Sequence, residues 1–101
     1  MIYQLSVPAA VKGVDEIRVL EWHGDVGRSF AKGELIVELE THKAVVEVRA
    51  GQAGVLRRVL AEAGDWKEIG LSLAVFSDTA DESAPADDKD LAELAVDFEV
   101  T

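Results

Sequence analysis

Residues 34–49 read Glu34-Leu35-Ile36-Val37-Glu38-Leu39-Glu40-Thr41-His42-Lys43-Ala44-Val45-Val46-Glu47-Val48-Arg49. Leu35, Val37 and Leu39 alternate with Glu34, Ile36, Glu38 and Glu40, and Val46 and Val48 alternate with Val45, Glu47 and Arg49. A period of two is the mark of a strand with one face buried. The stretch therefore predicts two antiparallel strands joined at His42-Lys43, with neither Gly nor Pro at the join. That register sets Leu39 against Val46 and Val37 against Val48 on the inner face. It also sets Glu38 against Glu47, a like-charge pair costing about a few tenths of a kcal/mol. The cost is small beside two inward aliphatic pairs, so the register holds and leaves Lys43 at a hairpin tip in water.

A lysine at a rigid, protruding tip suits one chemistry well. Its amine can form an amide with a carboxylic cofactor, and the tip can then present that cofactor first to an attaching enzyme and later to several active sites.

Outward from the hairpin the same short period continues. Leu71, Leu73 and Val75 alternate with Ser72, Ala74 and Phe76, and β-branched apolar runs occupy 17–20 and 55–60. Breaks containing Gly fall at 24–27, 33, 51–54, 64–65 and 70. Short strands at this spacing predict an all-β sandwich or barrel. Only residues 56–63 offer any helical alternative before residue 77. The chain also repeats itself. Gly27 and Gly33 recur as Gly64 and Gly70, Ile36 and Leu39 recur as Leu73 and Phe76, and Trp22 recurs as Val59, all at an offset of 37. Two such halves predict a pseudo-twofold β structure, each half too small to bury its face alone.

The 101 residues carry a net charge of −10 and no Cys. Length allows one small domain. The acidic balance argues against a nucleic-acid binder and against docking on an anionic membrane. Without Cys there are no disulfides, Cys-held metals or thiol nucleophile. No apolar run approaches the roughly 18 to 20 residues that span a bilayer. Met1-Ile2-Tyr3-Gln4-Leu5 has no basic, secretory n-region, so a cytoplasmic location is the default. The charge is uneven. Residues 1–77 hold 11 acids against 9 bases, a net of −2, whereas residues 78–101 hold 9 acids and Lys89, a net of −8. The division is therefore a folded carrier-like unit, 1–77, and an acidic tail, 78–101. Residues 78–88 have no large apolar side chain and read as a flexible linker. The apolar end, Leu91 to Val100, fits helical spacing through Leu91, Leu94, Ala95 and Phe98 and strand spacing through Val96, Phe98 and Val100. Packing on its own domain and docking on a partner both stay open.

Glu40-Thr41-His42-Lys43-Ala44 resembles the Glu-Thr-Asp-Lys-Ala attachment motif of the lipoyl domains of 2-oxo acid dehydrogenase acyltransferases. Gly33 stands ten residues before Lys43 and Gly54 eleven after it, as in the biotinyl/lipoyl-attachment family. Glu47-Val48-Arg49-Ala50, Gly54-Val55-Leu56, Gly64-Asp65 and Gly70 through Val75 also match its pattern, as do Val7-Pro8, Gly13-Val14 and Trp22 in its first strands. The resemblance covers about residues 5–77. It implies a flattened β-barrel of two four-stranded sheets related by a pseudo-twofold axis. It also implies a covalent lipoyl group on Lys43, a recognition flank of Glu40, Thr41, His42 and Ala44, and structural turns at Gly33 and Gly54.

The implied activity is that of a stand-alone, non-catalytic lipoyl carrier, modified by a lipoate-attaching enzyme. It would shuttle acyl groups and reducing equivalents among a thiamine-dependent decarboxylase, an acyltransferase and a flavin dihydrolipoyl dehydrogenase. Biotin carriers flank the lysine with Met, and the only Met here is Met1, which favours lipoyl over biotinyl. A biotin carrier and an unmodified interaction module are the alternatives. Four positions depart from the family pattern: His42 replaces Asp, Gly51 replaces Pro, Ile17 stands where Gly is common, and Arg28 replaces an Asp that Asp65 retains in the second half. His23 reads as a strand-surface or partly buried residue. Glu38, Glu40 and Glu47 read as solvated strand faces.

Overall fold

A computed structural model describes residues 1–81 and 91–101; most of the segment read as an acidic linker lies outside the described residues. The described residues form ten strands: β1 (Ile2–Ser6), β2 (Glu16–Trp22), β3 (Ser29–Phe30), β4 (Leu35–Glu40), β5 (Val45–Ala50), β6 (Gly54–Val59), β7 (Trp66–Glu68), β8 (Ser72–Ser77), β9 (Ala92–Glu93) and β10 (Val96–Val100). Helix is absent among them: of residues 56–63, the first four lie in β6 and the rest in the turn that follows. One sheet has the order β3-β6-β8-β1-β9 and the other β10-β5-β4-β2-β7. The inward residues of both, among them Leu5, Ile17, Val19, Ile36, Leu39, Val46, Val48, Leu56 and Leu73, are at most 1% exposed. Phe30 and Phe76 meet edge to face inside, centroids 6.0 Å apart.

The 37-residue repeat is built into the backbone. It carries β4 onto β8 and the start of β3 onto the start of β7. The Gly27 N–H donates to Leu56 O at 2.7 Å, and the Gly64 N–H donates to Val19 O at 2.7 Å. The acceptors are themselves 37 apart, so the two halves hold each other by reciprocal bonds. Gly27, Gly33, Gly64 and Gly70 all take φ between 92° and 97°, where a Cβ would be strained. The repeated glycines thus mark repeated left-handed turns.

Each sheet has five strands where the family resemblance implies four. The fifth strand of each comes from the C-terminal segment. β9 runs parallel to β1, with Tyr3 opposite Ala92. β10 runs antiparallel to β5, with Val96, Phe98 and Val100 opposite Ala50, Val48 and Val46. The strand alternation of this segment is therefore the one realised, and it packs on its own domain. Between the two strands Leu94 is buried at 4% exposure, and the chain crosses from one sheet to the other.

Gly51 is the point of crossing. Its N–H donates to Ala95 O at 2.8 Å. A Cβ there would lie 2.9 Å from both the carbonyl carbon and oxygen of Ala95. The Pro usual at this position could neither donate that bond nor fit. The departure from the family pattern is therefore matched to the presence of the C-terminal strands.

β10 also completes a row on the outer face. Glu21 pairs with Glu38, Glu38 with Glu47, and Glu47 with Glu99. The Glu38–Glu47 opposition follows from the hairpin; its two neighbours are supplied by strands distant in sequence. His23 relieves one end, its Nε2 lying 2.7 Å from Glu38 and 3.8 Å from Glu21. Arg49 lies 3.8 Å from Glu47.

Candidate functional site: the Lys43 hairpin

The hairpin has the register read from its sequence: Leu39 faces Val46, Glu38 faces Glu47 and Val37 faces Val48. The strands slip between Leu35 and Val37, which lets the consecutive Ile36 and Val37 both be buried. The turn needs no Gly because Thr41 builds it. Thr41 Oγ1 accepts from the backbone N–H of Lys43 and of Ala44, both at 3.0 Å, and Thr41 N donates to Ala44 O at 2.8 Å. A Ser or Thr hydroxyl that takes up local amides fixes a turn in this way. Thr41 is 7% exposed, whereas His42 and Lys43 are exposed. Sequence reasoning placed Thr41 in the recognition flank; its contacts make it the turn's internal support. Glu40, on the same flank, is held by Arg18 at 3.3 Å. On the far side of β5, Val45 exchanges both backbone bonds with Thr101, so the strand leading from Lys43 is paired on both edges.

Beside the tip runs an open groove of about 490 Å³, lined by residues 13–16, His42, Trp66 and Glu68. Gly13, at φ +81°, carries the loop past the lysine: a Cβ on Gly13 would sit 3.7 Å from Lys43 Nζ. Trp66 is 52% exposed. Neither the groove nor Trp66 was legible as part of the site, because residues 13–16 and Trp66 stand far apart in the chain and only the β2–β7 pairing unites them.

Among the described residues no acid pairs with the Lys43 amine, and nothing blocks its approach from solvent. That arrangement fits a small carboxylic cofactor held by amide linkage. It also fits what similar proteins are.

Residues 3–76 match the sequence profile of a family described as biotin-requiring enzymes, the biotin/lipoyl domains. The chain belongs to the biotinyl/lipoyl-attachment family. This attachment domain is 44% identical over 75 residues to the dihydrolipoyllysine-residue succinyltransferase component of the 2-oxoglutarate dehydrogenase complex of Staphylococcus saprophyticus, covering 74% of this chain and 18% of that protein. With the same component of Bacillus subtilis it shares 36% over 84 residues, 82% of this chain and 20% of that protein. The chain thus spans about a fifth of the length of these relatives. The solution structure of the lipoyl domain of the Azotobacter vinelandii 2-oxoglutarate dehydrogenase complex superposes with a TM-score of 0.65 at 29% identity, over 74% of this chain and 95% of that one. The matched family region stops at residue 76, so β9 and β10 lie outside it.

The attachment domain brings Glu40, Thr41, His42, Lys43 and Ala44 together at one end of the sheet. Gly33 makes a left-handed turn, as expected. Gly54 does not turn: it lies within β6, opposite Phe30. A Cβ there would lie 3.4 Å from Phe76 and 3.6 Å from Leu94, so the position is a closely packed strand site rather than a turn. Glu21, His23 and Glu38 have donor atoms within 4.8 Å of one another, but their contacts are accounted for by each other.

Proposed function

We propose that this domain carries lipoic acid as an amide on Lys43 Nζ and presents it to the components of a 2-oxo acid dehydrogenase-type complex. The carrying observation is the exposed Lys43 amine on a turn fixed by Thr41, in a domain of this family whose relatives are named for a dihydrolipoyllysine residue. When bound, a lipoyl group supplies the disulfide redox and acyl-transfer chemistry, which a chain with no Cys does not itself hold. The chain's own part is positional. Thr41 keeps Lys43 at one place and angle, Arg18 orients Glu40 beside it, and β5, paired on both sides, keeps the tip from fraying.

The partners on this reading are a lipoate-attaching enzyme, a thiamine-dependent decarboxylase, an acyltransferase and a flavin dihydrolipoyl dehydrogenase. The domain contributes effective concentration, since a tethered group is presented repeatedly instead of diffusing in. His42 in place of Asp gives the attaching enzyme an imidazole where a carboxylate is usual. Intact mass after incubation with lipoate and an active ligase tests the reading. The native chain should gain one lipoyl-sized increment and Lys43→Ala none. A biotin-sized increment, no increment, or modification elsewhere overturns it.

A further inference from the structure

We propose that the groove between residues 13–16 and Trp66 is a resting site for the dithiolane end of the arm on Lys43, with the Trp66 indole as its floor. This rests on the lipoyl reading of Lys43.

The groove begins where the arm begins. Gly13 lines it, and the space of a Gly13 side chain lies 3.7 Å from Lys43 Nζ. An arm leaving Nζ over Gly13 therefore enters the groove directly, and any larger residue at 13 would narrow that exit. His42, next to the lysine in the chain, forms part of the same wall.

Trp66 is placed by the sheet. Arg18 pairs with Trp66 on one side and with Glu40 on the other, so the indole lies in the row of side chains nearest the hairpin turn. Arg18 is turned to Glu40 at 3.3 Å.

The internal repeat supplies a comparison within the molecule. The residue 37 before Trp66 is Ser29, and the row Trp66–Arg18–Glu40 corresponds to Ser29–Val55–Ser77 in the other sheet. After Ser77 the chain leaves that row at Asp78, where after Glu40 it enters the lysine hairpin. The half-exposed indole thus occurs at the end that bears Lys43, and its symmetric counterpart is a small polar residue. Leaving half an indole in water forgoes burial that a smaller residue would not need, which points to an intermittent apolar occupant.

The chemistry of the groove fits a neutral, soft ring. Sulfur favours contact with an aromatic ring, and an arm held as an amide brings no charge to the rim formed by Asp15, Glu16 and Glu68. The contact is weak. Tethering makes it matter by raising the local concentration of the ring, and weakness lets the ring leave for a partner's site.

The test uses the full chain in three forms: unmodified, lipoylated, and carrying an octanoyl amide on Lys43, each verified by intact mass. In 1H–15N spectra the lipoyl form should shift the indole N–H of Trp66 and the amides of Gly13 and Val14. The indole of Trp22, whose N–H is bound to Ala61 O at 2.8 Å, should stay in place. Trp66→Ser, which installs the counterpart residue, should take the lipoyl increment in full yet lose most of the Gly13 and Val14 shift. Spectra in which a lipoylated chain differs only at residues 42–44, or in which the octanoyl arm gives equal shifts, overturn the resting site while leaving the lipoyl reading standing. Absence of the lipoyl increment overturns both.

Discussion

Thr41 is the residue on which the geometry of the tip depends. Its hydroxyl serves the backbone amides of Lys43 and Ala44, and removing it leaves both without a protein acceptor. Thr41→Val should lower stability by about 1 to 2 kcal/mol and slow lipoylation, while Thr41→Ser should restore both; denaturant unfolding and the time course of the mass increment read the two effects. The motif itself was legible. What the sequence did not tell was which of its members touch the turn and which face a partner, because a hydroxyl serves equally well in either role until the chain around it is folded.

At the scale of elements, the two C-terminal strands depend on one backbone contact. Gly51→Ala would set a methyl 2.9 Å from the Ala95 carbonyl, and backbone cannot move aside as a side chain can. The expected outcome is a loss of about 1 to 3 kcal/mol with faster hydrogen exchange across 92–101, while the amides of β4 and β8 keep their protection. The neighbouring Glu99 gives a prediction of opposite sign. Glu99→Lys turns its opposition with Glu47 into attraction and should stabilise by about 0.5 kcal/mol. That gain should shrink on adding salt, as seen in unfolding curves at low and high ionic strength. Residues 78–101 read as an acidic tail whose apolar end could pack on its own domain or dock on a partner. In β10 the charged residues Asp97 and Glu99 alternate with Val96, Phe98 and Val100, so a net negative segment still forms a strand when an open edge accepts it.

Across the whole molecule, the pseudo-twofold relation makes a quantitative claim. Gly27 and Gly64 take φ of +97° and +96°, and nothing lies within 4 Å of the place a methyl would occupy on either, so the cost of Ala at either is backbone strain alone. Gly27→Ala and Gly64→Ala should each lose about 1 to 2 kcal/mol and agree with each other to within about 0.5 kcal/mol, measured by thermal or denaturant unfolding. Unequal losses would show that the halves are alike in path but not in energetics. The repeat was visible as matched glycines and apolar offsets. Its reciprocal hydrogen bonds, Gly27 to Leu56 and Gly64 to Val19, were not, since they link the halves across the core.

The sequence by itself determined the strand class, the hairpin register, the repeat and the lysine at the tip. Each follows from local alternation, from glycine's tolerance of positive φ, or from a motif contiguous in the chain. Only the tertiary structure decided that the apolar end closes both sheets, that Gly51 is the crossing point, that four glutamates stand in one row, and that Trp66 faces the groove beside Lys43. These are relations between residues tens of positions apart. Pairing across a sheet edge is set by which backbone donors and acceptors remain open once the other strands are placed, and that is known only when the whole sheet has formed.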